Sequence, residues 1–381
     1  MSQLDLLQFH AFCLTRTGTR LDQYAQAIAA AVREGDTVLD LGTGTGILAV
    51  LAYRAGARRV YAIESSDAIR LGELLAASTG LTDRIHFIQG SSSQVVLDEH
   101  VDVVVGDIHD TFGLQPGGLA ALTDARQRLL RPGGVVIPHV IELRIAPVAA
   151  ADFYAREIDV WAQCVHGIDL RPIRPFAVSH VHAGRFDEGD LLCRPEPIAV
   201  IDLRQSAAAH VGGTTTVTVG GDGVVHGLCG CFVTTLAGDI RMGNVPGDSR
   251  TTNFAQAFLP FERPVPVSAG DSIEMTLDTR DGHVVRWRAA FSRAGEQPHA
   301  RFDHSTLHGL LLSRAALRRQ AFEYRPALTA RGRMERALLE RFDGSTTASE
   351  LQRWLQERFR DLLPTDQEAE SFLKATIARC G

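Results

Sequence analysis

Apolar positions in the first 140 residues fall into two alternating rhythms. Leu21, Tyr24, Ala27, Ile28 and Ala31 recur at three- and four-residue spacing and predict a helix over 20–33. The next run, Thr37-Val-Leu-Asp-Leu41, is a short apolar strand that passes through Gly42-Thr-Gly-Thr-Gly46 into a helix from Ile47 to Ala55. A second strand, Arg59–Ile63, ends in Glu64. A helix over 66–79 follows, then strands at Ile85–Ile88 and Val101–Val105, a helix near 119–130 and a fifth strand reaching Ile137. Strands alternating with helices predict a doubly wound, Rossmann-like α/β domain with a parallel sheet over residues 1–138.

Beyond Pro138 the rhythm changes to period two. The runs Thr214–Val219, Gly230–Leu236, Ile273–Leu277 and Val284–Ala290 are separated by turn signals such as Gly221-Asp-Gly223 and Asp281-Gly282. They predict an antiparallel β-barrel or sandwich over 139–300, preceded by a helix at Asp152–Trp161. Residues 301–381 return to helical spacing, with Met334, Leu338, Leu339, Phe342, Leu351, Trp354, Leu355 and Phe372 supplying the core of a small module.

Composition narrows the partners more than the fold. With 381 residues, 45% hydrophobic and 22% charged, the chain is long enough for two or three globular domains. The net charge of −6 and the absence of a basic run argue against nucleic acid. No apolar run reaches the length of a membrane span, and the N-terminus has no secretory pattern, so the expected setting is cytoplasmic. The six cysteines form no CxxC pair. They are expected as reduced thiols, and no metal site is expected.

The chemistry concentrates after the first strand. Glycines at 42, 44 and 46 let the backbone turn tightly against a ligand, and the helix that begins there presents unpaired N–H groups. The spacing GxGxG, with Asp40 just before the first glycine, differs from the GxGxxG of a pyrophosphate cradle and suits a nucleoside bearing an amino acid. Glu64 at the end of the second strand can accept from both ribose hydroxyls. Ser91, Ser92 and Ser93 follow the third strand, where an adenine edge would lie.

The run Val38 to Glu64 closely resembles the protein arginine methyltransferases, which are S-adenosylmethionine-dependent. The resemblance extends to Arg20, Tyr24, Ala27 and Ile28, to Leu130–Pro138, to Asp159–Asp169 and, more loosely, to Thr252–Gln256 and Pro264–Ile273. It implies a cofactor domain followed by a β-barrel, often paired head to tail through an arm on the barrel, hence a homodimer. It implies S-adenosylmethionine as cofactor. Arg20 would hold the methionine carboxylate, with Asp40, Gly42, Thr43 and Gly44 shaping the pocket. Glu64 and Ser65 would lie at the ribose, and Ser92 and Ser93 near the adenine.

The same resemblance fails at the acceptor. Arginine-methylating members grip the guanidinium with two glutamates in the loop after the fourth strand. Here Asp107 stands at the first position and Pro116 at the second. The family's Thr-His-Trp becomes Thr252-Asn253-Phe254. A single short carboxylate suggests an altered acceptor: an amine or modified guanidine on a peptide or specialised metabolite. Asp107, His109 and Asp110 are the catalytic candidates, with His109 or Asp110 as a general base. The alternatives are an oxygen acceptor, a cofactor-binding scaffold without catalysis and, last, a dinucleotide oxidoreductase. The stretch Arg336–Leu351, with Phe342-Asp-Gly344, resembles small winged-helix peptide-binding modules of the PqqD type. That likeness would make the C-terminal module a reader of a leader peptide, and the alternative is a packing or dimer element.

Overall fold

The computed structural model describes residues 7–8, 11, 19–205, 210–248, 252, 254–280, 282–293 and 296–380. The chain divides into two compact units, residues 1–310 and 311–381.

The first unit opens with α1 (Thr19–Ala31), β1 (Thr37–Leu41), α2 (Ile47–Arg54), β2 (Arg59–Glu64), α3 (Ile69–Ser78), β3 (Ile85–Gln89), β4 (Val101–Gly106), α4 (Gly118–Arg128) and β5 (Leu130–Ile137). The five strands form one parallel sheet in the order β3-β2-β1-β4-β5. All five residues of β1 are buried, as expected of a central parallel strand covered on both faces. The chain runs outward from β1 to β3 and then returns to β4 on the other side. The strand order therefore reverses at β1/β4, which opens a crevice at their C-terminal ends.

After a cis Ile137–Pro138 bond the antiparallel part begins. It comprises β6 (Val140–Val148), α5 (Ala151–Glu157), the hairpin β7 (Cys164–Val165) and β8 (Ile168–Asp169), α6 (Arg174–Val178), β9 (His182–Gly184) and β10 (Glu196–Asp202). The later strands are β11 (His210–Thr218), β12 (Gly223–Ala237), β13 (Ile240–Gly243), β14 (Gln256–Val267), β15 (Ser272–Arg280), β16 (Val284–Ser292) and β17 (Ala300–Ser305). One sheet runs β10-β6-β12-β14-β9 with β13 on β12, and the other runs β11-β15-β16-β17. Along β15 and β16 burial alternates strictly, and the inward set includes Met275, Leu277, Trp287 and Phe291. Each such side chain contributes roughly 1.5–3 kcal/mol by leaving water. Because β17 pairs with β16, the expected boundary at residue 301 falls inside a strand of this domain. The first unit instead ends at Leu310.

The second unit contains α7 (Arg314–Gln320), α8 (Ala330–Leu339), α9 (Ala348–Arg358) and α10 (Asp366–Cys380). Met334, Leu338, Leu351, Leu355, Leu363 and Phe372 form its own core. Asp343 accepts from the amides of Ser345 and Thr346, and Thr347 caps α9 in a capping box with Glu350. The helical expectation holds. The wing does not: among the described residues of this unit there is no strand. The Asp-Gly turn and its cap belong to helix-to-helix turns in general, so they could not distinguish the two.

Candidate functional site

The glycine loop stands at the end of β1. Gly42, Gly44 and Gly46 all adopt positive φ. Gly46 is further constrained, because a Cβ there would lie 3.0 Å from the Cα of Gly72 on α3. The loop is tied to the neighbouring strand: the amides of Gly42 and Thr43 donate to the Ile63 carbonyl. The amide of Gly44 donates to Glu64 Oε2 (3.2 Å), and the amide of Ser66 donates to Glu64 Oε1 (2.8 Å). Glu64 is thus fixed beside the loop.

Beneath it Asp40 is fully buried. Its Oδ2 accepts from the Thr43 hydroxyl at 2.6 Å, while Oδ1 has no partner. Burial pushes its carboxyl up to about 7, against the opposing hydrogen bond from Thr43. With no exposed surface, Asp40 acts on the crevice through the Thr43 hydroxyl of the glycine loop.

Ser65 is exposed on the turn after β2. Ser92 and Ser93 lie in a 3-10 turn beyond β3. The Ser93 hydroxyl is 2.9 Å from that of Ser91, and the Ser92 carbonyl accepts from Arg128 on α4.

Across the crevice, at the end of β4, Arg20 from the first turn of α1 is ion-paired with Asp107 Oδ2. The Arg20 guanidinium sits 4.5 Å from the centroid of the Phe254 ring. His109 Nδ1 is 3.0 Å from Asp107 Oδ1, and its Nε2 is 2.8 Å from the Thr234 hydroxyl on β12. The imidazole stacks on Phe232 with centroids 5.2 Å apart. Tyr24, buried on α1, donates to the Gly106 carbonyl and lies 3.5 Å from His109 Nδ1. Burial opposes the charge on Asp107, but the Arg20 guanidinium and the His109 hydrogen bond outweigh it and hold the carboxyl down at about 2.

Two of the three catalytic candidates change role. The side chain of His109 is wholly buried with both ring nitrogens engaged, so it supports Asp107 and does not face the crevice as a base. Asp110 Oδ1 accepts from the amide of Phe112 in a tight turn, and the residue lines a separate cavity with Thr111, Phe112, Leu143, His180 and Val285. It stabilises the loop and stands apart from the Arg20–Asp107 pair. Burial pushes its carboxyl up. Asn253 lies outside the described residues. Sequence reasoning missed Thr234, Phe232 and the aromatic roof that Phe254 places over Arg20. The β12 pattern showed only that these positions alternate, and nothing in it pointed to a loop more than 100 residues earlier.

Comparison with known proteins agrees with this division. Residues 19–149 match the Ribosomal protein L11 methyltransferase (PrmA) family, and residues 140–288 match the Arginine methyltransferase oligomerization subdomain. A probable protein arginine N-methyltransferase 6 of Arabidopsis thaliana is 33% identical over 186 residues, covering 46% of this chain and 42% of that protein, so the chain spans less than half of that relative. An arginine N(omega)-methyltransferase of Streptomyces achromogenes subsp. streptozoticus is 28% identical over 262 residues, covering 67% of this chain and 72% of its own. Among solved structures, a Trypanosoma brucei protein arginine methyltransferase 1 enzyme–prozyme complex with S-adenosylhomocysteine superposes with a TM-score of 0.68 at 22% identity, covering 75% of this chain and 94% of that one. Residues 19–288 carry the architecture of these proteins, and the chain is an S-adenosylmethionine-dependent methyltransferase.

Proposed function

We infer that this chain, an S-adenosylmethionine-dependent methyltransferase of the protein arginine methyltransferase family, transfers a methyl group to a guanidine or amine nitrogen of a peptide or specialised metabolite. The observation that carries the reading is Asp107, an ionised carboxylate at the end of β4 across the crevice from the glycine loop. The arginine nitrogens named for the matched relatives support nitrogen over oxygen.

The bound cofactor supplies an electrophilic methyl on a sulfonium. Methyl transfer forms a nitrogen–carbon bond as the carbon–sulfur bond breaks, and the electron pair leaves with sulfur. The chain contributes position and charge. The Gly44 loop and Glu64 seat the nucleoside, and Arg20 answers the carboxylate of its amino-acid tail. Asp107 accepts an N–H of the acceptor, orients the lone pair and offsets the positive charge. The single carboxylate gives a weaker grip on a guanidinium than two would. That suits an amine or a guanidine of lowered charge.

A peptide acceptor has a surface to meet. From Leu311 to Arg333 the chain exposes Leu311, Leu317 and Phe322 among Arg314, Arg318, Arg319 and Arg325, a combination that suits an acidic peptide with apolar side chains. The hairpin of β7 and β8 exposes Val165 and Ile168 and supports a homodimer formed through this arm. Described cysteines that are free thiols, and the absence among described residues of a helix long and apolar enough to cross a membrane, support a cytoplasmic setting.

The test uses the full chain with methyl-labelled cofactor and a panel of arginine, amine and hydroxyl acceptors on peptides and small molecules. Label on nitrogen, lost by roughly 100-fold or more in Asp107→Asn, is the expected result. Label on oxygen, or transfer unaffected by Asp107→Asn, overturns it.

A further inference from the structure

We propose that Thr234 is a positioning residue for methyl transfer: its hydroxyl holds His109 in the tautomer that carries the ring proton on Nδ1, so that the imidazole donates to Asp107. The inference rests on the reading of Asp107 as the group that receives the acceptor.

The hydrogen positions follow from the partners. Asp107 is ionised and has no proton to give, so the hydrogen between its Oδ1 and His109 Nδ1 sits on nitrogen. The remaining ring nitrogen, Nε2, faces a hydroxyl that can donate or accept. In a ring that carries its single proton on Nδ1, Nε2 is the acceptor and the Thr234 hydroxyl the donor. Which ring nitrogen carries the proton is set by the bond the other one makes.

Thr234 is well placed to act as a fixed donor. It has no exposed surface and sits within β12, paired with Ile141 of β6 and Met242 of β13. Its β-branched side chain has little rotamer freedom there. Phe232, two residues earlier on the same face, stacks on the imidazole. The strand thus sets the plane and the protonation pattern of His109 together. Asp107 is then braced on both oxygens, by Arg20 on Oδ2 and by His109 on Oδ1. The direction of its remaining lone pairs is fixed before an acceptor arrives.

The experiment compares Thr234→Val, which keeps the shape and removes the hydroxyl, with Thr234→Ser, which keeps the hydroxyl. Ring nitrogens are observed by NMR in the 15N-histidine-labelled full chain, with the His109 signal identified by its loss in His109→Gln. The wild type should show Nδ1 protonated and Nε2 bare but hydrogen-bonded, and the Nε2 signal should shift as it loses its donor in Thr234→Val and keep its place in Thr234→Ser. With the acceptor found above, Thr234→Val should lower kcat by about tenfold, as removal of one hydrogen bond from a braced group would. KM for S-adenosylmethionine should stay within about twofold, and Thr234→Ser should restore kcat. A protonated Nε2 in the wild type, an unchanged kcat in Thr234→Val, or a serine variant as impaired as the valine one overturns the proposal. If no acceptor is methylated, the reading of Asp107 falls, while the ring spectra alone still decide the tautomer.

Discussion

Arg20 donates through both Nε and Nη2 to a single oxygen of Asp107, Oδ2, while its guanidinium rests over the ring of Phe254. The pair joins the first helix to the loop after β4. Arg20→Ala should leave a largely buried carboxylate with one fewer partner and destabilise the chain by about 3 kcal/mol at neutral pH. The sign with pH follows from the lowered carboxyl. Its contribution is fully present above the unfolded value near 4 and disappears as pH falls through about 2. Denaturant melts of wild type and Arg20→Ala should therefore differ most at pH 7 and converge towards pH 2. Calorimetry should show cofactor affinity weakened by roughly tenfold or more.

Asp40 carries the opposite sign. Its folded carboxyl stands at about 7, so ionising it in the buried crevice works against folding once pH rises above the unfolded value near 4, and the penalty levels off above about 7. Asp40→Asn should make the ligand-free chain more stable at pH 8, on the order of a few kcal/mol, with little difference below pH 4. It should also weaken S-adenosylmethionine binding. Urea melts across pH, together with titration of the cofactor, check both halves. A variant no more stable at pH 8 would show that Asp40 is not strained by its burial.

Gly113 closes the turn after Asp110, its amide donating to the Asp110 carbonyl. It holds φ at +84°, and a Cβ would come within 2.9 Å of Phe232 Cβ and 3.0 Å of a Leu143 methyl. Gly113→Ala should cost about 1–3 kcal/mol and shift the loop that carries Asp107. Thermal melts should show the loss. Turnover should fall further than cofactor affinity, because the glycine loop lies on another strand.

The order of the first nine elements was legible because each carries its own period and its own stop signal. The strands β1 to β4 were expected within one residue of their ends. The contact of the glycine loop with Glu64 was legible for the same reason, since Gly42, Gly44 and Glu64 lie close together in sequence on one strand–turn–helix–strand unit. The surroundings of Asp107 were not. His109 and Asp110 are one residue apart and equally polar, and only the packing of β12 sends one into the domain junction while Asp110 closes a turn. The wing failed for a related reason: Asp343-Gly344 followed by a capped helix predicts a turn and nothing beyond it.

The C-terminal helices have a core of their own, and Leu355 is fully buried within it. Leu355→Ala should destabilise that unit by about 2–5 kcal/mol. Residues 1–310, expressed alone, should still bind S-adenosylmethionine with wild-type affinity. Far-UV circular dichroism melts should show one transition moving while the other stays. A single shared transition, or loss of cofactor binding in the shortened chain, would show that the units do not fold separately.

The bond between His109 and Thr234 spans 125 residues of sequence. On the ribosome the glycine loop and its five-stranded sheet are complete while the threonine is still unmade. The imidazole beside Asp107 therefore waits for a strand made much later, and the loop after β4 takes its final packing only once synthesis has passed the middle of the second sheet.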